Sequence, residues 1–143
     1  KRECRRQADE ALQLVALTAP PDIVLPEAAR RIIDFFLSEF GRAVFRICVA
    51  EADRFPELGR EFYESGPALV RDRIATYLEG AVGRGELAID DTLLAADQFA
   101  ELCKAGIFPA VIFGIRQTFT QADRDHVATS AVAMFLARYG VKG

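Results

Sequence analysis

The sequence FGRAVFRICVAEADRFP, residues 40–56, carries the pattern that decides the fold. Apolar residues recur in it at spacings of three and four, which is the period of an α-helix, and a second apolar face follows beside the first. Pro56 disfavours the helical conformation in Phe55 and has no backbone N–H, so the helix is predicted to end at Phe55. A helix that is apolar on most sides predicts a bundle of helices around it. The apolar residues are Val44, Phe45, Ile47, Cys48, Val49, Ala52 and Phe55.

Six further segments have helical patterns, namely residues 2–18, 26–37, 57–64, 67–82, 92–108 and 121–139. Asp91 is placed to cap one of these helices, and Thr120 with Asp123 three residues later marks the start of the last. Pro109 predicts a kink or an end after Gly106. Because no alternating strand pattern appears, we predict an all-α fold. It is a helical bundle of six to seven helices in one domain, residues 1–143.

Composition excludes several classes of function. The net charge is −3 and the sequence pI is near 5.2, so the chain lacks the basic excess of a nucleic-acid surface. Cys4, Cys48 and Cys103 have no CxxC spacing and are odd in number, which indicates reduced thiols and a cytoplasmic location. No apolar run approaches the roughly 18 residues that span a bilayer, so no membrane partner is predicted. Because the first residue is Lys1, we interpret the sequence as a piece of a longer chain.

Residues that build metal sites and active sites are scarce. Asp123 and His126 lie one helical turn apart, but His126 is the single histidine, and helical metal sites need more ligands. The glycines of residues 80–85 lack the order of a phosphate-binding loop. We therefore predict no metal, no cofactor and no catalytic residue.

Lys104 and two cysteines leave alternatives open. Lys104 either forms a surface ion pair with Glu101, one turn earlier, or faces a cavity and meets an acidic group of a ligand. Cys48 and Cys103 are either small buried hydrophobes or reactive thiols. A helical enzyme that uses Lys104, His126 or the cysteines therefore stays an alternative function.

Aromatic residues are unusually frequent, with eleven phenylalanines and three tyrosines. Small hydrophobic ligands bind in apolar, aromatic-lined spaces between helices, although ordinary packing also produces aromatic clusters. From the helix faces, we predict a binding site for a small hydrophobic effector. Its residues are Phe36, Cys48, Phe55, Phe62, Ile74, Tyr77, Phe99 and Cys103.

Five blocks of sequence resemble one known family. They are EADRFPEL (51–58), FYESGP (62–67), YLEGAVGRGEL (77–87), IDDTLLAADQF (89–99) and MFLARYG (134–140). In order and spacing they resemble the C-terminal domain of TetR-family transcriptional regulators, the AefR-like subgroup above all. The resemblance covers residues 40–140. It implies an all-helical, effector-binding and dimerising domain of a repressor, with operator DNA held by an N-terminal helix-turn-helix head that this sequence does not contain.

In the family, the last two long helices commonly pair with those of a second copy, which here implies homodimerisation through residues 92–108 and 121–139. Both segments also have a second apolar face. The residues predicted for the dimer interface are Leu94, Gln98, Leu102, Thr129, Val132, Ala133 and Leu136.

The resulting hypothesis is a regulatory domain that binds an apolar effector, forms homodimers and makes or breaks no bond. Effector binding changes operator affinity only if the effector prefers one of two helix arrangements. Besides the helical enzyme, a simple dimerising scaffold without a ligand is the second alternative.

Overall fold

The computed structural model describes residues 18–141, and this part of the chain forms seven helices and no strand. The all-α fold predicted from the sequence is confirmed. The helix predicted for residues 2–18 lies outside the described residues except for Thr18, and Cys4 lies outside them as well. The helices are α1 (Pro21–Leu37), α2 (Glu39–Glu51), α3 (Pro56–Ser65), α4 (Pro67–Gly83), α5 (Thr92–Lys104), α6 (Phe108–Ile112) and α7 (Gln121–Tyr139).

Local sequence signals set several helix starts. The Thr120 hydroxyl accepts a hydrogen bond from the Asp123 N–H, and the Asp123 carboxylate accepts one from the Thr120 N–H at 2.9 Å. At the start of α5, the Asp91 carboxylate accepts a hydrogen bond from the Leu94 N–H at 3.0 Å. Pro67 occupies the first turn of α4, where backbone N–H groups have no partner within the helix, so the missing N–H of proline costs no hydrogen bond. The starts predicted for these helices at residues 67, 92 and 121 are confirmed.

Helix α1 lies at the centre of the bundle and contacts α2, α5, α6 and α7. It begins at Pro21, earlier than the predicted Pro26, because a proline is equally suited to the first position of a helix. One side of α1 is apolar along its whole length, so it is α1 that organises the core. Its buried residues are Pro21, Val24, Leu25, Ala28, Ala29, Ile32, Ile33 and Leu37.

The prediction that residues 40–55 form the central, internal helix is wrong. Helix α2 ends at Glu51 and buries only Gly41 and Cys48, while Ile47 is 57% exposed. Charged residues interrupt its apolar faces, so α2 packs on α1 and α3 with one side only. Gly41 permits the tight corner between α1 and α2, since a Cβ there would lie 2.3 Å from the carbonyl oxygen of Phe35.

The helix predicted for residues 92–108 is divided. Helix α5 ends at Lys104, Gly106 has a φ of +78°, and α6 begins at Phe108 with Pro109 in its first turn. Gly106 reaches this left-handed conformation without the strain that a Cβ would add. The break predicted from Pro109 is therefore confirmed, although the helix ends two residues before Gly106.

Two arginines of α2 form hydrogen bonds to the segment between α5 and α7, one to α6 itself and one to the residues after it. Arg46 donates a hydrogen bond from Nη2 to the carbonyl oxygen of Val111 at 2.8 Å. Arg42 donates to the carbonyl oxygen and to the side-chain oxygen of Gln117, at 2.9 and 3.1 Å. These bonds join α2 to the chain between α5 and α7, over more than sixty residues of sequence.

None of the helices in residues 18–141 combines the length and the apolar character that a membrane span requires.

Candidate functional site

Four phenylalanine rings form a continuous row where α1, α2, α3 and α6 meet. Phe36 contacts Phe108 with ring centroids 5.3 Å apart, Phe108 contacts Phe45 at 5.0 Å, and Phe45 contacts Phe62 at 6.5 Å. The last two contacts are edge to face, the arrangement that the charge distribution of aromatic rings favours. Phe108 is buried and the other three rings are half-buried. We call these four residues the aromatic row.

The ammonium group of Lys104 lies over this row. Its Nζ is 4.7 Å from the centroid of Phe36 and 5.5 Å from that of Phe108, within the range of a cation–π interaction. Nζ also donates a hydrogen bond to Oε2 of Glu101 at 2.9 Å. The Lys104 side chain is only 23% exposed, whereas that of Glu101 faces solvent. Lys104 therefore forms the ion pair considered from the sequence and at the same time faces the aromatic residues.

Two residues of the aromatic row, Phe45 and Phe108, were not among the predicted effector residues. Phe108 is only four residues from Lys104, but the break at Gly106 lies between them, so helical periodicity gives no signal for their contact. The sequence pattern of residues 40–56 places Phe45 on an apolar face of a helix predicted to lie inside the bundle. Phe45 contacts Phe62 of α3 and Phe108 of α6. The sequence pattern does not specify where these two helices lie relative to α2.

The predicted effector residues do not form one cluster. Phe36 and Phe62 belong to the aromatic row, but Phe99 is fully buried and packs on Phe135 of α7 with centroids 5.3 Å apart. Ile74 is buried in the core. Phe55 is 52% exposed, because α2 ends before it and the residue falls in the turn to α3.

Tyr77, another predicted effector residue, is almost fully buried and ties α4 to the start of α1. Its hydroxyl donates a hydrogen bond to the carbonyl oxygen of Ala19 at 2.5 Å. Burial raises the pKa of Tyr77, against the opposing effect of the positive charge of Arg84, whose guanidinium lies 5.8 Å from the ring centroid. In this arrangement the phenol stays protonated and acts as a hydrogen-bond donor within the fold.

Both described cysteines are buried free thiols. Burial raises the pKa of the Cys103 thiol to about 12, against the opposing effect of the positive charge of Lys104. Burial also raises the pKa of Cys48. Since the thiolate is the nucleophile and the metal ligand, these cysteines are in their unreactive form at neutral pH.

The outward side of α7 carries no charge over three turns. Between His126 and Arg138 its exposed residues are Thr129, Ser130, Ala133, Met134 and Ala137, which we call the α7 outer face. Leu94 and Gln98 of α5 are also exposed, and Gln98 accepts a hydrogen bond from the Tyr139 hydroxyl, which holds α5 beside α7.

The residues predicted for the dimer interface divide by exposure. Leu94, Gln98, Thr129 and Ala133 are exposed, and Leu102 and Leu136 are half-buried. Val132 is only 8% exposed and belongs to the protomer's own core, so the sequence placed it on the wrong side of α7. Successive residues of an α-helix point about 100° apart. Where two apolar faces are adjacent, shifting the boundary between them by one residue therefore assigns a side chain to the wrong face.

A groove of about 410 Å³ lies beside the α7 outer face, between the end of α5 and residues 123–134 of α7. Arg116 and Asp123 form an ion pair in its wall, with Nη2 and Oδ2 2.6 Å apart. Apart from these two residues and His126, the lining is uncharged, with Leu102, Ala105, Gly106, Ile107, Val127, Ser130, Ala131 and Met134.

Within residues 18–141, no three histidine, cysteine, aspartate or glutamate side chains lie close enough together to hold a metal ion.

Comparison with known proteins agrees with this architecture. Residues 23–141 match the sequence profile of the C-terminal domain of AefR-like transcriptional repressors. No curated protein matches the sequence. Among solved structures, the chain is similar to a protein described as a TetR-family transcriptional regulator from Mesorhizobium loti MAFF303099, with 26% identity and a TM-score of 0.86. The alignment covers 98% of this chain and 69% of that one.

Two further structures share the fold. The flavonoid-responsive regulator FrrA has 26% identity and a TM-score of 0.85, over 99% of this chain and 74% of its own. A TetR-family transcriptional regulator from Pseudomonas syringae pv. tomato str. DC3000 has 18% identity and a TM-score of 0.75, over 99% and 72%. The match to the family profile extends over most of the sequence and includes every helix from α2 to α7. The chain therefore belongs to the TetR family of transcriptional regulators, as a C-terminal domain of the AefR-like type.

Proposed function

We propose that this chain is the effector-binding and dimerisation part of a cytoplasmic transcriptional repressor. A small, largely apolar effector binds among its helices, two copies associate through α5 and α7, and the dimer positions two DNA-binding heads that lie outside this sequence. The family supports the role in regulation. In this function no bond is made or broken, and the buried, protonated cysteines are consistent with a non-enzymatic role.

The observation that carries the dimerisation proposal is the uncharged α7 outer face. A helix surface that stays in water normally carries charged side chains, whereas an exposed face without charge over several turns is typical of a contact with another molecule. Thr129, Ser130, Ala133 and Ala137 are small, so a second helix can approach closely. The same helix of a second copy offers a matching surface in a twofold interface.

Ala133→Glu tests this interface. A carboxylate at the centre of the contact would lose its water in the dimer without gaining a partner. In sedimentation equilibrium at micromolar concentration, we expect the variant to be monomeric and the unaltered protein to be dimeric. Ala50→Glu is the matched control, because Ala50 is exposed on α2. If Ala133→Glu dimerises as tightly as the control, α7 is not the contact.

The aromatic row supports the effector proposal. Phe36, Phe45 and Phe62 are half-buried aromatic side chains at the junction of four helices, and Lys104 supplies one positively charged donor beside them. Apolar walls with a few polar groups are the usual composition of small-molecule sites. An aromatic effector would contact the rings, and Lys104 would bind an acidic or hydroxyl group on it if one is present. FrrA is described as flavonoid-responsive, so flavonoids are one class to test.

Regulation would follow from a shift between two helix arrangements. The aromatic row joins α1, α2, α3 and α6, while α1 also packs on α5 and α7. An effector that separates or draws together the rings would move α1 against the helices of the dimer interface. Its influence on DNA affinity is limited to the difference between its affinities for the two arrangements.

Thermal unfolding with a panel of aromatic compounds, flavonoids included, tests effector binding. A compound that binds only the folded state raises the melting temperature in a concentration-dependent way. We expect at least one such compound, and we expect Phe62→Ala to reduce its shift, measured against the variant's own ligand-free melting temperature. Tyr63→Ala is the control, because Tyr63 is an exposed neighbouring aromatic. If no compound changes the melting temperature, a scaffold without a ligand becomes the better interpretation.

A further inference from the structure

Phe113 and Ile115 are the two most exposed large apolar side chains in residues 18–141, at 78% and 80%. They lie in the segment between α6 and α7, on either side of Gly114, whose φ of +72° turns the chain. Exposed apolar side chains of this size are unfavourable in water unless another surface covers them.

The backbone of this segment is held in place. The N–H groups of Ile115 and Arg116 both donate to the carbonyl oxygen of Ala110, at 2.8 and 3.2 Å. Arg42 of α2 holds Gln117 by two further hydrogen bonds. The two apolar side chains are therefore presented outward by a fixed turn.

The groove beside the α7 outer face begins next to this turn, because Arg116, which follows Ile115 directly, forms part of its wall. Arg116 and Asp123 of the lining have opposite charges and form an ion pair with each other. Ser130 and Met134 belong both to the groove and to the α7 outer face, so the groove continues the proposed dimer interface. An apolar side chain that enters it would meet a largely apolar wall.

We propose that Phe113 and Ile115 of one protomer occupy this groove of a second copy, and that the reverse contact forms at the same time. In a twofold dimer both protomers use the same surface patch. If the protrusion of one protomer enters the recess of the other, the reverse contact therefore forms as well. The exposure of Phe113 and Ile115 shows that they do not fill the groove of their own protomer. This inference rests on the proposed dimerisation through α5 and α7, and it adds the turn as a second, locking contact.

The first test is the double variant Phe113→Ser, Ile115→Ser, measured by sedimentation equilibrium. Truncating two anchors that fill a recess should raise the dimer dissociation constant by roughly tenfold or more, since a few side chains packed in such recesses supply most of the binding energy of an interface. Ile47→Ser is the control, because Ile47 is also an exposed isoleucine but lies on α2, away from the proposed contact. Circular dichroism of the double variant should be unchanged, as both side chains are at the surface. An unaltered dissociation constant would overturn the inference.

The second test joins the two surfaces covalently. Ile115→Cys and Ser130→Cys are placed in separate chains that lack the native cysteines, and the two chains are mixed under mild oxidation. We expect the mixed disulfide to form faster than a disulfide between Ile47→Cys and Ser130→Cys. Equal rates would contradict the inference.

The two tests separate this inference from the proposed function. If the double variant dimerises normally and no preferred disulfide forms, while Ala133→Glu is still monomeric, the groove has another role, such as binding a small molecule, and the α7 interface stands. If the unaltered chain is a monomer throughout, both proposals fail.

Discussion

The rings of Phe99 and Phe135 pack edge to face, with centroids 5.3 Å apart and an interplanar angle of 77°. Both side chains are fully buried, and their contact joins α5 to α7. The two helices that form the proposed dimer interface are thus fixed to each other within one protomer before a second copy approaches.

Phe135→Ala should destabilise the fold by about 3–5 kcal/mol, the usual range for removing a fully buried phenylalanine ring. The lost ring also leaves Phe99 and Tyr139 without their aromatic neighbour. Urea unfolding followed by circular dichroism measures the change. Ile47→Ala on the exposed side of α2 is the control and should change the free energy of unfolding by less than about 1 kcal/mol. Equal effects would contradict the assigned core.

The start of α7 should make stability dependent on pH in the acid range. The backbone N–H of Thr120 donates to the Asp123 carboxylate and lowers its pKa, with further contributions from the Thr120 hydroxyl and Arg116. A carboxyl whose pKa is lower in the folded state contributes stability above its unfolded pKa of about 3.9. That contribution is lost as the pH falls from there through the lower folded value.

Comparing Asp123→Ala with the unaltered protein tests this dependence. The difference between their melting temperatures should be constant near neutral pH and should shrink as the pH falls below about 4. Asp90→Ala is the control, since Asp90 is an exposed carboxylate before α5. A difference for Asp123→Ala that is independent of pH would show that its charge does not contribute.

Cys103 should react very slowly with thiol reagents while the protein is folded. Its pKa rises from 9.0 to about 12 on burial, so the thiolate fraction falls roughly a thousandfold, before the lack of access to the side chain is counted. A variant that retains only Cys103 should react with a disulfide reagent at pH 8 at least about a hundredfold more slowly when folded than in guanidinium chloride. Similar rates would indicate an open route to the α5 core.

Lys104 should contribute to the stability of the fold more through its contacts with the aromatic rings than through its ion pair with Glu101. Lys104→Met keeps the apolar stem but removes the ammonium from Phe36 and Phe108, and should lower stability by about 1 kcal/mol. Glu101→Gln should lower it by less than about 0.5 kcal/mol, since the glutamate side chain is largely exposed. Both variants are measured by urea unfolding. An equal loss in the two would assign the effect to the ion pair.

Helix ends were predictable from the sequence where a short-range signal fixes them. The cap at Asp91, the capping box of Thr120 with Asp123, and Pro67 at the start of α4 each act within one turn of helix. The all-α fold followed from the same signals together with the absence of strand patterns. Such features depend on neighbours in sequence and not on how the helices pack.

The packing of the helices was harder to predict from the sequence, because it depends on which face of each helix contacts which neighbouring helix. Residues 40–55 have two apolar faces in sequence, but only one of them packs, which left Ile47 and Phe55 at the surface. In α7 the division between inner and outer faces was displaced, so Val132 was assigned outward although it is buried. For the same reason Phe45 and Phe108 were missed, since helices distant in sequence bring them together.

The bonds from Arg46 and Arg42 reach the main-chain oxygens of Val111 and Gln117. A carbonyl oxygen is present whatever side chain a residue bears, so this joint tolerates replacement of nearly every residue on the receiving segment. The side chains around Phe113 and Ile115, which we propose to contact a second copy, can therefore change during evolution without loss of these backbone bonds to the bundle.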